Sequence, residues 1–179
     1  MTHKLGFPTD FKRINQVQNS NALRDWCRSM KHKLVADVSN YAKGRYRLWL
    51  FHEVYFRNGK LTKSYFDERI WNFSQRVYPD CNIGLLTFGG NFDNGKISDG
   101  RINLHRDHTY AKPKAISVNL GEAVFSYGEP NPTDYLLKDG DILQFNCKVL
   151  HGVKQIKSAE RFSLVFWQLN EQKGYRSLI

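Results

Sequence analysis

At 179 residues with 14% aromatic side chains, the chain is long enough to bury one substantial core and too aromatic for a disordered segment. Its formal charge of +10 is lopsided: residues 1–80 hold 15 basic against 7 acidic side chains, and residues 81–179 hold 12 against 10. The asymmetry points to a polyanionic partner, nucleic acid first, while the lack of any apolar run near ~20 residues excludes a membrane-spanning helix.

The opening Met1–Pro8 has no hydrophobic stretch of the secretory kind, so a cytoplasmic monomer is expected. Cys27, Cys81 and Cys147 form no CxxC pair and read as buried thiols, not as a disulfide framework or zinc site. From Asn19 to Leu34, Leu23, Trp26, Cys27, Met30 and Leu34 recur three and four apart, predicting a helix capped by Asn19 or Ser20. Tyr46 to Phe56 is aromatic and aliphatic and reads as a strand or hairpin arm. A second helix is signalled by a capping-box-like Ser64-Tyr65-Phe66-Asp67, with Phe66, Ile70, Phe73 and Val77 on one face and Pro79 beyond its end.

After Asp80 the pattern changes to short strands: Ile83–Phe88, Arg101–His105, Ala115–Leu120, Ala123–Tyr127, Tyr135–Leu137, Asp141–Phe145, Gly152–Ile156 and Arg161–Leu169. Asn94-Gly95 and Lys138-Asp139-Gly140-Asp141 are tight-turn signals between them. The pattern predicts an α+β, mainly β fold: a double-stranded β-helix, or jelly roll, with N-terminal helices bracing one sheet. One domain over 1–179 is expected, with a basic helical and strand layer at 1–80 and the jelly-roll core at 81–170.

The chemistry concentrates in Asn103-Leu104-His105-Arg106-Asp107. On a strand end, His105 and Asp107 project to one face and can take adjacent positions on a metal ion, with His151 as a third ligand. Two imidazoles and one carboxylate leave three positions open, the arrangement of non-haem iron(II) oxygenases. Taken alone, a His-x-Asp pair is more often a surface salt bridge. Arg161 adds weight, because an arginine opening the apolar strand Arg161–Phe166 needs a partner anion if buried. The distal carboxylate of an iron-chelating 2-oxoglutarate would supply one; the alternative is an edge arginine paired with Glu160 or solvent.

His105-Arg106-Asp107, Ala115–Gly121, Leu136–Leu143, His151-Gly152-Val153 and Arg161–Phe166 together resemble the AlkB-like branch of the 2-oxoglutarate/iron(II) dioxygenases. The resemblance runs from about Asn82 to Gln168. It implies Fe(II) on His105, Asp107 and His151, 2-oxoglutarate on Arg161, and an oxidoreductase that consumes O2 and releases succinate. Hydroxylation of an N-linked methyl group would release formaldehyde, as in AlkB-like DNA repair of alkylated bases.

The family's second arginine, six residues after the first, is Trp167 here, and its Asn-x-Tyr is Leu86-Thr87-Phe88. Asn103, Ser117 and Asn119 are the candidates to replace those co-substrate contacts. Gly89 to Gly100 reads as an insertion before the metal motif. Arg106, His108 and Tyr127 are candidate substrate-binding residues, Tyr127 with core packing as its alternative. The expected substrate is a nucleic-acid base, single-stranded or flipped, with Arg24, Arg28, Lys31 and Lys33 meeting phosphates. The alternative is a free amino acid, peptide or small metabolite. A cupin-like binding module without catalysis is the third reading, opposed by the carboxylate of Asp107.

Overall fold

The computed structural model describes residues 10–55 and 60–169. In chain order the first half runs β1 (Phe11–Gln16), α1 (Ser20–Ser29), a 3-10 turn (Lys31–Lys33), β2 (Val35–Ala36), β3 (Ala42–Lys43), β4 (Tyr46–Leu50), β5 (His52–Tyr55), β6 (Lys60–Lys63) and α2 (Glu68–Val77). The second half is all strand: β7 (Ile83–Asn91), β8 (Ile97–Ser98), β9 (Arg101–His105), β10 (Ala111–Leu120), β11 (Ala123–Tyr127), β12 (Thr133–Leu137), β13 (Asp141–Asn146), β14 (His151–Ile156) and β15 (Glu160–Leu169). A major sheet has the order β1-β13-β10-β15-β7-β4-β2, with β8 on β7, and a minor sheet the order β12-β11-β14-β9-β3. This is the expected jelly roll with helices on one sheet.

Strand alternation explains the layering. Val165, Trp167 and Leu169 of β15 enter the core between the sheets with Leu85, Ala115 and Phe145, whereas Phe162, Leu164 and Phe166 face the helices. There they meet Trp26 and Cys27 of α1, Met30 just past its end, and Ile70 of α2. Phe162, Leu164 and Phe166 are each 0% exposed, so each stabilises the helical layer by about 1.5–3 kcal/mol. The two helices are also tied together, because the Trp26 indole donates to Asp67 Oδ2 at 2.9 Å.

Asn19 caps α1 as expected, its Oδ1 accepting from Ala22 N at 3.1 Å. The cap of α2 lies three residues later than expected. Ser64 donates instead to Trp49 O at 2.8 Å, and a parallel bridge of Leu50 with Tyr65 keeps that segment extended. Asp67 takes over, accepting from Arg69 N at 2.9 Å. The expected Tyr46–Phe56 strand is broken at Phe51, whose φ of 69° turns the chain from β4 into the β5–β6 hairpin; Phe56 lies outside the described residues.

Residues before Asp80 also enter both sheets as strands: β1, β2 and β4 extend the major sheet and β3 the minor. The first half is thus part of the sandwich as well as a layer upon it. The Gly89–Gly100 segment forms the β7–β8 hairpin through Asn94-Gly95, where Gly95 has φ 81°.

Candidate metal centre

His105 ends β9 and His151 begins β14, and the two are direct partners in the antiparallel ladder. Direct partners present their side chains to the same face, and the imidazole centroids are 4.5 Å apart. Each Nδ1 lies 2.8 Å from a carbonyl oxygen two residues earlier, that of Asn103 for His105 and of Val149 for His151. A carbonyl only accepts, so both Nδ1 atoms carry the hydrogen and both Nε2 lone pairs point at the shared space.

Asp107 lies in the loop just past β9, not on the strand itself, and its backbone N–H is held by Cys147 O at 2.8 Å. Its Oδ1 is 3.3 Å from His105 Nε2 and 3.4 Å from His151 Nε2. Metal–ligand bonds of about 2.0–2.2 Å at right angles place adjacent donors about 3 Å apart, so the three atoms fit one face around a single ion. The other oxygen, Oδ2, accepts the Trp167 indole N–H at 2.8 Å. Burial alone would raise the Asp107 carboxyl. When the imidazoles are also protonated at Nε2, the charge of His151 and hydrogen bonds from both rings outweigh it and hold the group well below the usual carboxylate range; a metal ion would take the place of those protons. An anionic oxygen and two imidazole nitrogens form a donor set for a divalent transition metal.

These residues open onto a cavity of about 430 Å³ between the sheets, into which Arg161, Ser163, Ser117 and Trp49 also face. Arg161 is 4% exposed, and its Nε donates to Asn119 Oδ1 at 2.7 Å. Asn119 Nδ2 donates to the Gly121 and Lys138 carbonyls at 2.6 and 2.9 Å, which fixes the amide with its oxygen toward Arg161. Among the described residues no carboxylate pairs with Arg161. Glu160 is turned the other way, onto Arg28 and Lys31, which removes the edge-arginine alternative. Burial first, and then the charge of Arg45, push the Arg161 guanidinium down to about 10.

The other expected site residues divide. Ser117 faces the cavity, whereas Asn119 acts on Arg161 and is outside the cavity wall. The Asn103 side chain is exposed; its backbone carbonyl orients His105. Arg106 stands at the rim in an ion pair with Glu129 at 2.9 Å, and His108 lines the wall with its ring 6.1 Å from Trp167, pushed down to about 4 by burial. Tyr127 is a core residue, 2% exposed, stacked on Phe11 and donating to Asp10 Oδ2 at 2.8 Å.

The helix cations are also committed: Arg24 pairs with Asp139, Arg28 with Asp25 and Glu160, and Lys31 with Glu160. Lys33 lies over the Tyr65 ring. Sequence reasoning missed Arg45, Arg47 and Trp49, which share one face of the β4 segment and line the cavity. Their i, i+2, i+4 spacing was the available signal.

No family model and no curated protein matches the chain. Solved structures do. OsALKBH1 superimposes with a TM-score of 0.69 at 15% identity, over 91% of this chain and 98% of that one. A Trichoplax adhaerens prolyl hydroxylase, in complex with a hypoxia inducible factor peptide fragment, gives 0.67 at 13% identity, over 92% and 85%. A Burkholderia pseudomallei oxidoreductase of the 2OG-Fe(II) oxygenase family gives 0.59 at 16%, over 82% and 76%. The fold is therefore the jelly roll of the 2-oxoglutarate/iron(II) oxygenases.

Proposed function

We propose that this chain is a single-domain, non-haem iron(II) dioxygenase that uses 2-oxoglutarate and O2. The observation that carries this reading is one cavity shared by a His105–Asp107–His151 donor set and a buried arginine, Arg161, with no carboxylate of its own. A bound Fe(II) would supply the oxidising chemistry; the chain's residues hold, orient and shield it. His105 and His151 present fixed Nε2 atoms, Asp107 presents Oδ1, and Arg161 anchors the far carboxylate of the co-substrate.

The balanced reaction converts substrate, O2 and 2-oxoglutarate into hydroxylated substrate, succinate and CO2. On an N-methyl group the product would fall apart to formaldehyde and the bare amine. The test is succinate formation by the Fe(II)-loaded protein with and without candidate substrates. No 2-oxoglutarate binding and no succinate under any condition would sink the reading.

For the substrate, an AlkB-like action on nucleic-acid bases rests on the basic first half of the chain. Pairing of Arg24, Arg28 and Lys31 within the chain takes away the phosphate contacts that reading used. That observation favours hydroxylation of a peptide, amino acid or small metabolite. Affinity for a single-stranded oligonucleotide at 0.05 and 0.2 M salt separates the two, since phosphate recognition must weaken steeply between them.

A further inference from the structure

The cavity wall carries more positive charge than one arginine accounts for. We propose that Arg45 is a second binding residue for the distal carboxylate of 2-oxoglutarate, acting beside Arg161 and held in place by Asp37. This rests on the function proposed above and adds a residue to it.

The placement follows from register. β4 runs antiparallel to β7 with Tyr46 opposite Phe88, so Arg45, one residue before β4, stands opposite Gly89. On the other side of β7, Gly89 is the partner of Arg161. Two guanidiniums thus flank one glycine, one from each neighbouring strand, and both line the cavity. Gly89 puts no side chain between them. The space over Gly89 itself is filled, since a Cβ there would lie 2.5 Å from Gly100 Cα and 2.3 Å from Ile156 Cδ1, so the two arginines meet a ligand in the cavity that both line.

Arg45 is aimed by its partner. Its Nε and Nη2 both donate to Asp37 Oδ2, at 2.8 and 2.5 Å, and the Asp37 N–H donates back to Arg45 O at 2.9 Å. The Asp37 side chain is only 5% exposed, so this is a fixed, largely dry clasp. Arg45 Nη1 makes no hydrogen bond among the described residues. Burial first and then the charge of Arg45 lower Arg161, and an anion bound in the cavity that both line relieves the repulsion of the two like charges. Among the cavity-lining residues Arg45, Arg47, Arg106 and Arg161 stand against Asp37 and Asp107; Arg47 also reaches Glu53 at 3.7 Å and Arg106 pairs with Glu129, and Asp107 is a metal ligand in the function proposed above, which leaves Arg161 without a carboxylate.

The experiment is calorimetric titration of the Mn(II)-loaded protein with 2-oxoglutarate and, separately, with oxalate. Oxalate chelates the metal but has no distal carboxylate. Arg45→Met is expected to weaken 2-oxoglutarate roughly ten- to hundred-fold, the range of a lost charge-assisted hydrogen bond, and to leave oxalate unchanged. Because that variant strands the Asp37 carboxylate, Arg45→Met/Asp37→Asn is measured beside it, with the same loss expected. Arg45→Lys should recover part of the affinity. Unchanged 2-oxoglutarate affinity in both Met variants, or equal losses for 2-oxoglutarate and oxalate, would overturn the assignment. If Arg161→Met abolishes binding while the Arg45 variants do not, only this inference falls. If the wild-type protein takes up no 2-oxoglutarate, the function itself falls.

Discussion

Trp167→Phe tests how the metal site is held. The indole N–H donates to Asp107 Oδ2 at 2.8 Å, which leaves Oδ1 as the oxygen nearest the two imidazoles. Trp167 is 5% exposed and packs near Trp49, with centroids 6.3 Å apart, so phenylalanine keeps much of the packing and loses the donor. A hydrogen bond to a charged group is worth about 1.5–3 kcal/mol, which converts to roughly ten- to hundred-fold in affinity. Loss of an outer partner of a metal ligand costs a similar factor. Mn(II) titration by calorimetry should therefore show a Kd raised by about one to two powers of ten. An undiminished Mn(II) affinity in the single variant would refute the argument.

Asp107→Ala should abolish metal binding and succinate formation while the metal-free protein still folds, with a midpoint lowered only by the lost Trp167 contact, because Asp107 sits on the loop past β9 and not within a sheet. Gly89→Ala should destabilise by about 1–3 kcal/mol in urea melts, since the new Cβ meets Ile156 Cδ1 at 2.3 Å and Gly100 Cα at 2.5 Å. Tyr127→Phe should cost about 1 kcal/mol of stability and leave succinate formation intact, which separates its core role from substrate binding. In acid, hydrogen bonds from Arg69 and Trp26, against burial, hold Asp67 at about 2, below its usual 3.8. A carboxyl depressed by folding stabilises above its unfolded value, and with its exposed Arg69 partner screened by solvent about 1 kcal/mol or less should be lost as pH falls from about 4 to about 2. Asp67→Asn should flatten that step in pH-dependent melts.

Much of the core was legible from alternation and turn signals. Arg101–His105 and Ala123–Tyr127 have the observed bounds and the other expected strands after Asp80 differ only at their ends, while the two-residue β8 (Ile97–Ser98) was not among them. Such patterns are local: a period of two tells which residues share a face, and glycine at positive φ marks where the chain reverses. The candidate donors His105, Asp107 and His151, and Arg161 with them, were readable because each is a chemically unusual residue at a strand end or, for Asp107, just past one. Cap placement at Asp67 was less legible, because Ser64 and Asp67 are both competent caps and only the long-range Ser64–Trp49 contact takes one away.

What pairs with what was settled by tertiary structure. Strand addition of β4 to β7 brings Arg45 and Arg47 to the cavity, and no local pattern names a strand's neighbour. The same holds for Trp167 on Asp107, sixty positions apart in the chain, and for Tyr127, whose hydroxyl finds Asp10 in β1's approach to the sandwich. Charge counts along the chain could not show that Arg24, Arg28 and Lys31 are already answered by Asp139, Asp25 and Glu160. Composition records how many charges there are; only packing decides which remain for a ligand, because ion pairing depends on distances of a few ångströms between residues far apart in sequence.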